Sequence, residues 1–244
     1  HPADLHYRPG HEHVLVTIAE DARIDLRYMF RQYHLIDLVT GRVAGTIDTE
    51  GKLGDASFSP DGEWIAFIGA VDIHDPAEGQ LMVAPATGGQ PTNLLPGVMG
   101  HVNGVAWKDA DTILYLLDAN VRTEIGQINA RGGAPKVLIG QGEVVINGMS
   151  VSADGRTMAF RGDSHEFPNE VFVGRTGREP ERVTNLNPWL ADIELGKQTV
   201  HVYTANDGME LEGILIHPVG YQEGTAYPLI AVIHGGPEAH ERNG

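Results

Sequence analysis

Near its C-terminal end the sequence carries His234-Gly235-Gly236-Pro237, directly after the unbroken apolar run Leu229-Ile230-Ala231-Val232-Ile233. Two consecutive glycines let a backbone turn sharply and approach a ligand closely, and the proline fixes the exit. A strand that ends in His-Gly-Gly is the pattern of an oxyanion-hole loop, whose backbone donors face an oxygen that becomes negative during attack on a carbonyl. His234 itself is a poor candidate for a catalytic base, because a base needs a nucleophile within reach. The five serines, Ser57, Ser59, Ser150, Ser152 and Ser164, all precede it, and none sits in a Gly-x-Ser-x-Gly elbow. The closest approach to one, Gly148-Met149-Ser150-Val151-Ser152, lacks the final glycine. The expected role of His234 is to shape its own loop by bonding to the backbone.

Three further clusters contain residues able to do chemistry. His234, Glu238, His240 and Glu241 offer metal-ligand types, but not at the His-Glu-x-x-His spacing that brings ligands onto one helix face. His6, His11 and His13 form a second histidine group, read as exposed side chains at a strand edge. No metal site is expected from either. Arg23, Arg27 and Arg31 are spaced i, i+4, i+8, so one helical stretch would align them. A row of guanidinium forks could hold a peptide carboxylate; the competing reading is a charged loop balanced by Glu20, Asp21 and Asp25.

The elements that must position these residues are legible as a repeat. Residues 4–12 read DLHYRPGHE and residues 55–63 read DASFSPDGE, each followed by an apolar strand. The pattern returns at residues 104–117 and 148–162. One position is held in turn by Tyr7, Phe58, Trp107 and Val151, and is expected to pack between neighbouring repeats. A period of about 40–50 residues is a signature of propeller blades. Each repeat fills in as four short strands: in the second, residues 54–59, 64–69, 80–85 and 91–95. Ser59-Pro60-Asp61-Gly62 closes the first hairpin, since Gly supplies the positive φ such a turn requires. Turns at Thr40-Gly41, Thr87-Gly88-Gly89, Gly132-Gly133 and Thr176-Gly177 recur between third and fourth strands. The expected class is therefore mainly β, with four-stranded antiparallel blades over about 4–50, 54–98, 101–142 and 145–187, a linker at 188–197, and a separate unit over 198–244. Blades 1 and 2 carry insertions at residues 20–32 and 72–78. In the last unit, strands at 198–204 and 210–217 lead to the run at 229–233, which lacks alternation and is expected to be a strand buried on both faces. An arc of four blades leaves sheet edges and faces open, so further blades upstream of His1 are expected.

Composition narrows the function classes. The formal net charge of -16 and pI near 5.0 argue against nucleic acid or an anionic membrane as partner. The absence of Cys excludes disulfides, thiolate catalysis and Cys-based zinc sites. No apolar run approaches the roughly 20 residues of a membrane span. The compartment stays open between cytoplasm and periplasm.

The blade repeat resembles those of the Tol-system propeller protein and of prolyl oligopeptidase relatives. The run DGMELEGILIHPVGYQEGTAYPLIAVIHGGP, placed directly after the blades, resembles the start of the catalytic domain in the prolyl oligopeptidase family. It is most similar to the branch of acylaminoacyl-peptidases and dipeptidyl-peptidase-like enzymes. The resemblance implies the first strands of an α/β-hydrolase domain over 198–244 and a serine peptidase acting on short peptides through a Ser-Asp-His triad. It implies Gly236 as a backbone N–H donor of the oxyanion hole, with His234 in the same loop but outside the triad. It implies no cofactor, allows a homo-oligomer, and leaves peptide specificity and exo- or endopeptidase action open. With no elbow among the five serines, the triad is expected beyond Gly244 and this chain alone is expected to be inactive. The alternative is a non-catalytic Tol-type propeller that binds another protein.

Overall fold

The computed structural model describes residues 5–175, 180–236 and 239–244. Asp4, Thr176, Gly177, Pro237 and Glu238, all named above, lie outside them. Four antiparallel sheets follow one another along the chain, each a four-stranded meander in sequence order. The first contains β1 (His6–Tyr7), β2 (His13–Ile18), β3 (Gln32–Asp37) and β4 (Val43–Ile47), with helix α1 (Ile24–Met29) inserted between β2 and β3. The second contains β5 (Leu53–Phe58), β6 (Trp64–Gly69), β7 (Gln80–Pro85) and β8 (Thr92–Asn93). The third contains β9 (His101–Trp107), β10 (Thr112–Ala119), β11 (Arg122–Asn129) and β12 (Lys136–Ile139). The fourth contains β13 (Val145–Val151), β14 (Thr157–Ser164), β15 (Phe167–Arg175) and β16 (Glu181–Arg182). A 3-10 turn at Pro188–Asp192 leads to a separate hairpin, β17 (Gln198–Thr204) and β18 (Glu210–Ile216).

Consecutive sheets stack face to face, and the core lies between them. Leu15, Tyr33, Leu35 and Ile47 of the first sheet meet Phe58, Ile65 and Phe67 of the second. Ala66, Ile68, Leu81 and Val83 on the opposite face of the second meet Trp107, Ile113, Tyr115 and Leu117. Leu114, Leu116 and Ile125 then meet Ile146, Met158, Phe160 and Phe172. Central strands covered on both faces are apolar throughout, as in WIAFIG of β6; single-face alternation would leave half of such a strand unpaired. The repeat position at the end of each first strand does pack between sheets at Phe58, Trp107 and Val151. The indole of Trp107 also donates from Nε1 to the Ser57 carbonyl, 2.9 Å away in the preceding sheet. Tyr7 differs, at 69% exposed, because no described blade precedes the first sheet.

The Ser-x-Asp-Gly turns explain their own recurrence. The Ser59 hydroxyl donates to Asp61 Oδ1 at 2.5 Å and accepts the Trp64 N–H at 2.9 Å. Ser152, Asp154 and Thr157 repeat both bonds at 2.6 and 3.0 Å. Each serine thus closes its hairpin twice, and each aspartate is held as the carboxylate.

The expected buried strand at 229–233 is not formed. Residues 225–235 have no strand or helix, and Leu229, Ile230, Val232 and Ile233 are 80–89% exposed. A two-sided apolar strand exists only between paired neighbours and covering layers. Among the described residues none pairs with this run. The hairpin β17–β18 that precedes it is formed as expected.

Candidate functional site

One end of the stacked sheets carries the hairpins between first and second strands, together with those between third and fourth. The other end carries the connections between second and third strands and the crossings from one sheet to the next. The arginine insertion and the oxyanion-like segment lie at this second end, where several cavities open.

The first cavity, about 850 Å³, lies beside α1. Its walls include Ile18, Leu26, Phe30 and Ile73, with Glu20, Glu50 and Asp72 at the rim. The arginine row does not line it. Helix α1 is six residues long and contains only Arg27; Arg23 precedes it as the N-cap and Arg31 follows the C-cap residue Phe30. The guanidinium of Arg23 turns back to Asp21 at 2.7 Å, and Arg31 donates to the Leu53 carbonyl of β5. An i, i+8 alignment needs two full helical turns, and this insertion makes fewer. The structure therefore does not assemble Arg23, Arg27 and Arg31 into one carboxylate fork; Arg31 is a tie between the first and second sheets. What the sequence did not reveal is the apolar wall made by Leu26 and Phe30 instead. His34, also on this cavity, has its basicity lowered by burial and pairs through Nδ1 with Thr46 Oγ1 at 3.1 Å.

The second cavity, about 570 Å³, lies between the fourth sheet and the linker, lined in part by His165, Phe167, Arg182 and Lys197. Arg182 is already engaged. It stands over the Phe167 ring at 4.2 Å and donates to Glu170 Oε1 at 3.1 Å. Glu170 is fully buried on β15. Burial pushes its carboxyl up, but the Thr184 hydroxyl, the Leu186 N–H and Arg182 outweigh that and hold it below the usual range. This is a structural knot joining β15 to the chain after β16.

The third cavity is reached by the oxyanion-like segment through His234. It measures about 410 Å³ and is lined by Glu78, Gly100, His101, Asp118 and Asn120 of the second and third sheets, by Glu210 and Glu212 of β18, and by His234, His240 and Glu241. His234 is exposed, and its Nδ1 lies 3.1 Å from the Gly235 carbonyl, a bond that requires the Nδ1–H tautomer. Gly236 has φ +148°, a backbone setting that side-chain-bearing residues rarely adopt, so the second glycine of the motif is needed for geometry. The five serines are elsewhere: Ser59 and Ser152 in their turns, Ser57 and Ser150 on first strands, and Ser164 at the end of β14, where its Oγ accepts the Glu166 N–H. His11 and His13 sit at the opposite end of the first sheet with ring centroids 6.3 Å apart, His13 being 4.0 Å from Asp37. Among the described residues no three His, Cys, Asp or Glu converge as metal ligands.

Sequence reasoning missed Asp118. It lies at the end of β10, is 5% exposed, and holds a carboxylate in the floor of this third cavity. Its Oδ2 lies 3.3 Å from Asn103 Nδ2, 3.5 Å from Arg242 NH1 and 3.9 Å from His240 Nε2. Burial pushes the carboxyl up from its ordinary value, and Arg242, His240 and His101 oppose that only in part. The one signal in the sequence was a lone acid in an otherwise apolar strand, TILYLLDA.

No family model matches the chain. It is 30% identical over 97 residues to a Bacillus subtilis protein described as the uncharacterized peptidase YuxL; the match takes 38% of this chain and 14% of that one. Among solved structures it is similar to an acylaminoacyl peptidase in complex with Z-Gly-Gly-Phe-chloromethyl ketone, at TM-score 0.74 and 16% identity, over 98% of this chain and 36% of that one. An acylaminoacyl peptidase from Pyrococcus horikoshii gives TM-score 0.67 and 13% identity, over 88% and 32%. A putative TolB from Agrobacterium tumefaciens gives 0.56 and 20%, over 75% and 61%. The four sheets thus have the β-propeller arrangement shared by peptidases and TolB proteins. The chain spans about a third of the acylaminoacyl peptidases it resembles.

Proposed function

We propose that this chain is the propeller and hydrolase-entry portion of a serine peptidase that cleaves short peptides. The observation that carries the reading is the placement of His234, which leads into Gly235-Gly236, on the wall of the same cavity that Asp118 lines. A loop with the sequence of an oxyanion hole, facing a propeller cavity, suits a substrate threaded between the two. Gly236 N–H is the proposed donor to the oxygen of the tetrahedral intermediate, and His234 holds the loop rather than serving as base. Residues 198–244 open the α/β-hydrolase domain in this reading. The run at 229–233 becomes its first buried strand once neighbouring strands cover it. Serine, aspartate and histidine of the triad are supplied by sequence following Gly244, and the substrates are aminoacyl-, dipeptidyl- or acylaminoacyl-peptides. The blade and motif resemblance and the similarity to acylaminoacyl peptidases both support this assignment.

A second reading, a non-catalytic Tol-type module, is favoured by the similarity to TolB, whose chain this one covers further than it covers either peptidase. One experiment separates them. The coding sequence after Gly244 should contain a Gly-x-Ser-x-Gly elbow followed by Asp and then His, and the longer protein should hydrolyse acylaminoacyl or aminoacyl p-nitroanilides while residues 1–244 alone do not. An unrelated continuation, or a longer protein without turnover, would sink the peptidase assignment.

A further inference from the structure

The end of the described chain is anchored to the third blade by several contacts. Arg242 and His240 converge on the buried Oδ2 of Asp118. The Asn243 N–H donates to the Val121 carbonyl at 2.8 Å, in the short connection between β10 and β11. The Asn243 side chain accepts from Gln198 Nε2 at 3.2 Å, and the residue is only 4% exposed. The same connection is also tied to the hairpin, since the Val121 N–H meets Glu212 Oε2 at 3.4 Å. Blade 3, the β17–β18 hairpin and residues 240–243 therefore form one knot, and its buried charge is Asp118. His240, the first residue of this anchor, follows Gly236 by four positions in the sequence. A donor that must face a developing negative oxygen to within a fraction of an ångström is effective only if its loop is held before the reaction. The loop's own residues offer little hold, since residues 228–235 are exposed and without regular structure.

We propose that Asp118, a propeller residue, is a positioning residue for the oxyanion segment, acting through Arg242 and His240. This rests on the peptidase assignment above. It gives the propeller a part in catalysis as well as in access. Asp118 acts on the anchor from which Gly236 is presented rather than on the reacting carbonyl. The unpaired Oδ1 of Asp118 leaves the carboxylate free to take a closer, two-pronged bond from Arg242, whose NH1 also lacks a hydrogen-bond partner among the described residues.

The test has two arms. In the 244-residue chain, hydrogen exchange followed by NMR should show the Asn243 amide exchanging at least tenfold faster in Asp118→Asn and in Arg242→Gln, with the β10 and β11 amides unchanged. Arg242→Gln alters only the tail, so it decides the matter if Asp118→Asn disturbs the blade. Unchanged exchange at Asn243 in Arg242→Gln overturns the anchor. In the longer enzyme both variants should lose about tenfold in kcat with KM within twofold, and Arg242→Lys, which keeps the cation, should recover most of the loss. Faster exchange with kcat unmoved overturns the positioning role. Absence of turnover in the unsubstituted enzyme is a failure of the peptidase assignment, while the exchange arm still reports on the anchor.

Discussion

Arg31 shows how a residue that looks suited to a ligand is used by the fold. Its guanidinium bonds the Leu53 carbonyl and sits partly buried between two blades, whereas Arg27 is exposed on α1. Arg31→Ala should cost about 1–3 kcal/mol by urea unfolding, since it removes a charged hydrogen bond and leaves the carbonyl unpaired. Arg27→Ala should stay within about 0.5 kcal/mol. Equal effects of the two would contradict this division of roles. Asp118 makes a less intuitive case. Its carboxyl is raised by burial despite Arg242, His240 and His101 nearby, so the folded blade disfavours the charged form. A group whose folded pKa lies above its unfolded value contributes stability that is full below the unfolded pKa and is lost as pH rises through the folded one. Asp61 and Asp154 have the opposite sign. Their serine hydroxyls hold them below the ordinary value, so they contribute above about pH 4 and fade as pH falls. Asp118→Asn should therefore leave the thermal midpoint at pH 7 unchanged or higher, with the gain over the parent vanishing below about pH 4. A lower midpoint at pH 7 would show that the ion pairs outweigh burial.

At the scale of elements, the Asp-Gly turns have two functions. Gly62 has φ +74°, and a Cβ there would stand 2.6 Å from the Pro9 carbonyl of the preceding blade, while Arg8 Nε bonds the Gly62 carbonyl at 2.7 Å. Gly155 repeats the approach, 2.2 Å from the Lys108 carbonyl. The turn glycine is thus also a blade-to-blade contact. Gly62→Ala should destabilise by about 1–3 kcal/mol, measurable by chemical denaturation; a loss under about 0.5 kcal/mol would mean the blades shift freely. The hairpin role of these turns was legible in the sequence because turn chemistry is local. The spans of β6, β7 and β17 were legible for the same reason, each bounded by Gly, Pro or Asp. What was not legible depends on partners. The run at 229–233 has the composition of a covered strand but finds no cover among the described residues. The row Arg23, Arg27, Arg31 has helical spacing, but the helix ends at Met29. Asp118 becomes a candidate only when folding brings it to residues 240–242, more than 120 positions away.

At the scale of the molecule, the arc of four blades has two uncovered faces that differ in kind. Blades 2 to 4 turn large side chains toward the blade before them: Phe58 with Ile65 and Phe67, Trp107 with Ile113 and Tyr115, Met158 with Phe160 and Phe172. The matching face of blade 1 carries Tyr7, Val14 and Val16 and meets no blade among the described residues; Tyr7 is 69% exposed, although Val14 is buried. The trailing face of blade 4 carries Gly148, Ser150, Ala159, Arg161 and Val171 around a cavity of about 390 Å³. Large side chains also face the following blade, as Tyr33 and Trp64 do, so the two open faces match as head and tail of one repeat rather than as large against small. Such a contact closes only if the rotation per blade allows it; otherwise it propagates. Residues 1–244 on their own should therefore self-associate, running above 26.4 kDa by light scattering at micromolar concentration. Val16→Glu on the leading face and Ala159→Lys on the trailing face, beside Arg161, should each restore the monomer, because either places an unpaired charge in the contact. Combining one chain of each variant should leave the intact faces able to pair, restoring association. A parent chain that stays monomeric at these concentrations would show that the open faces are tolerated in water, and that matching of head and tail alone does not drive blades together.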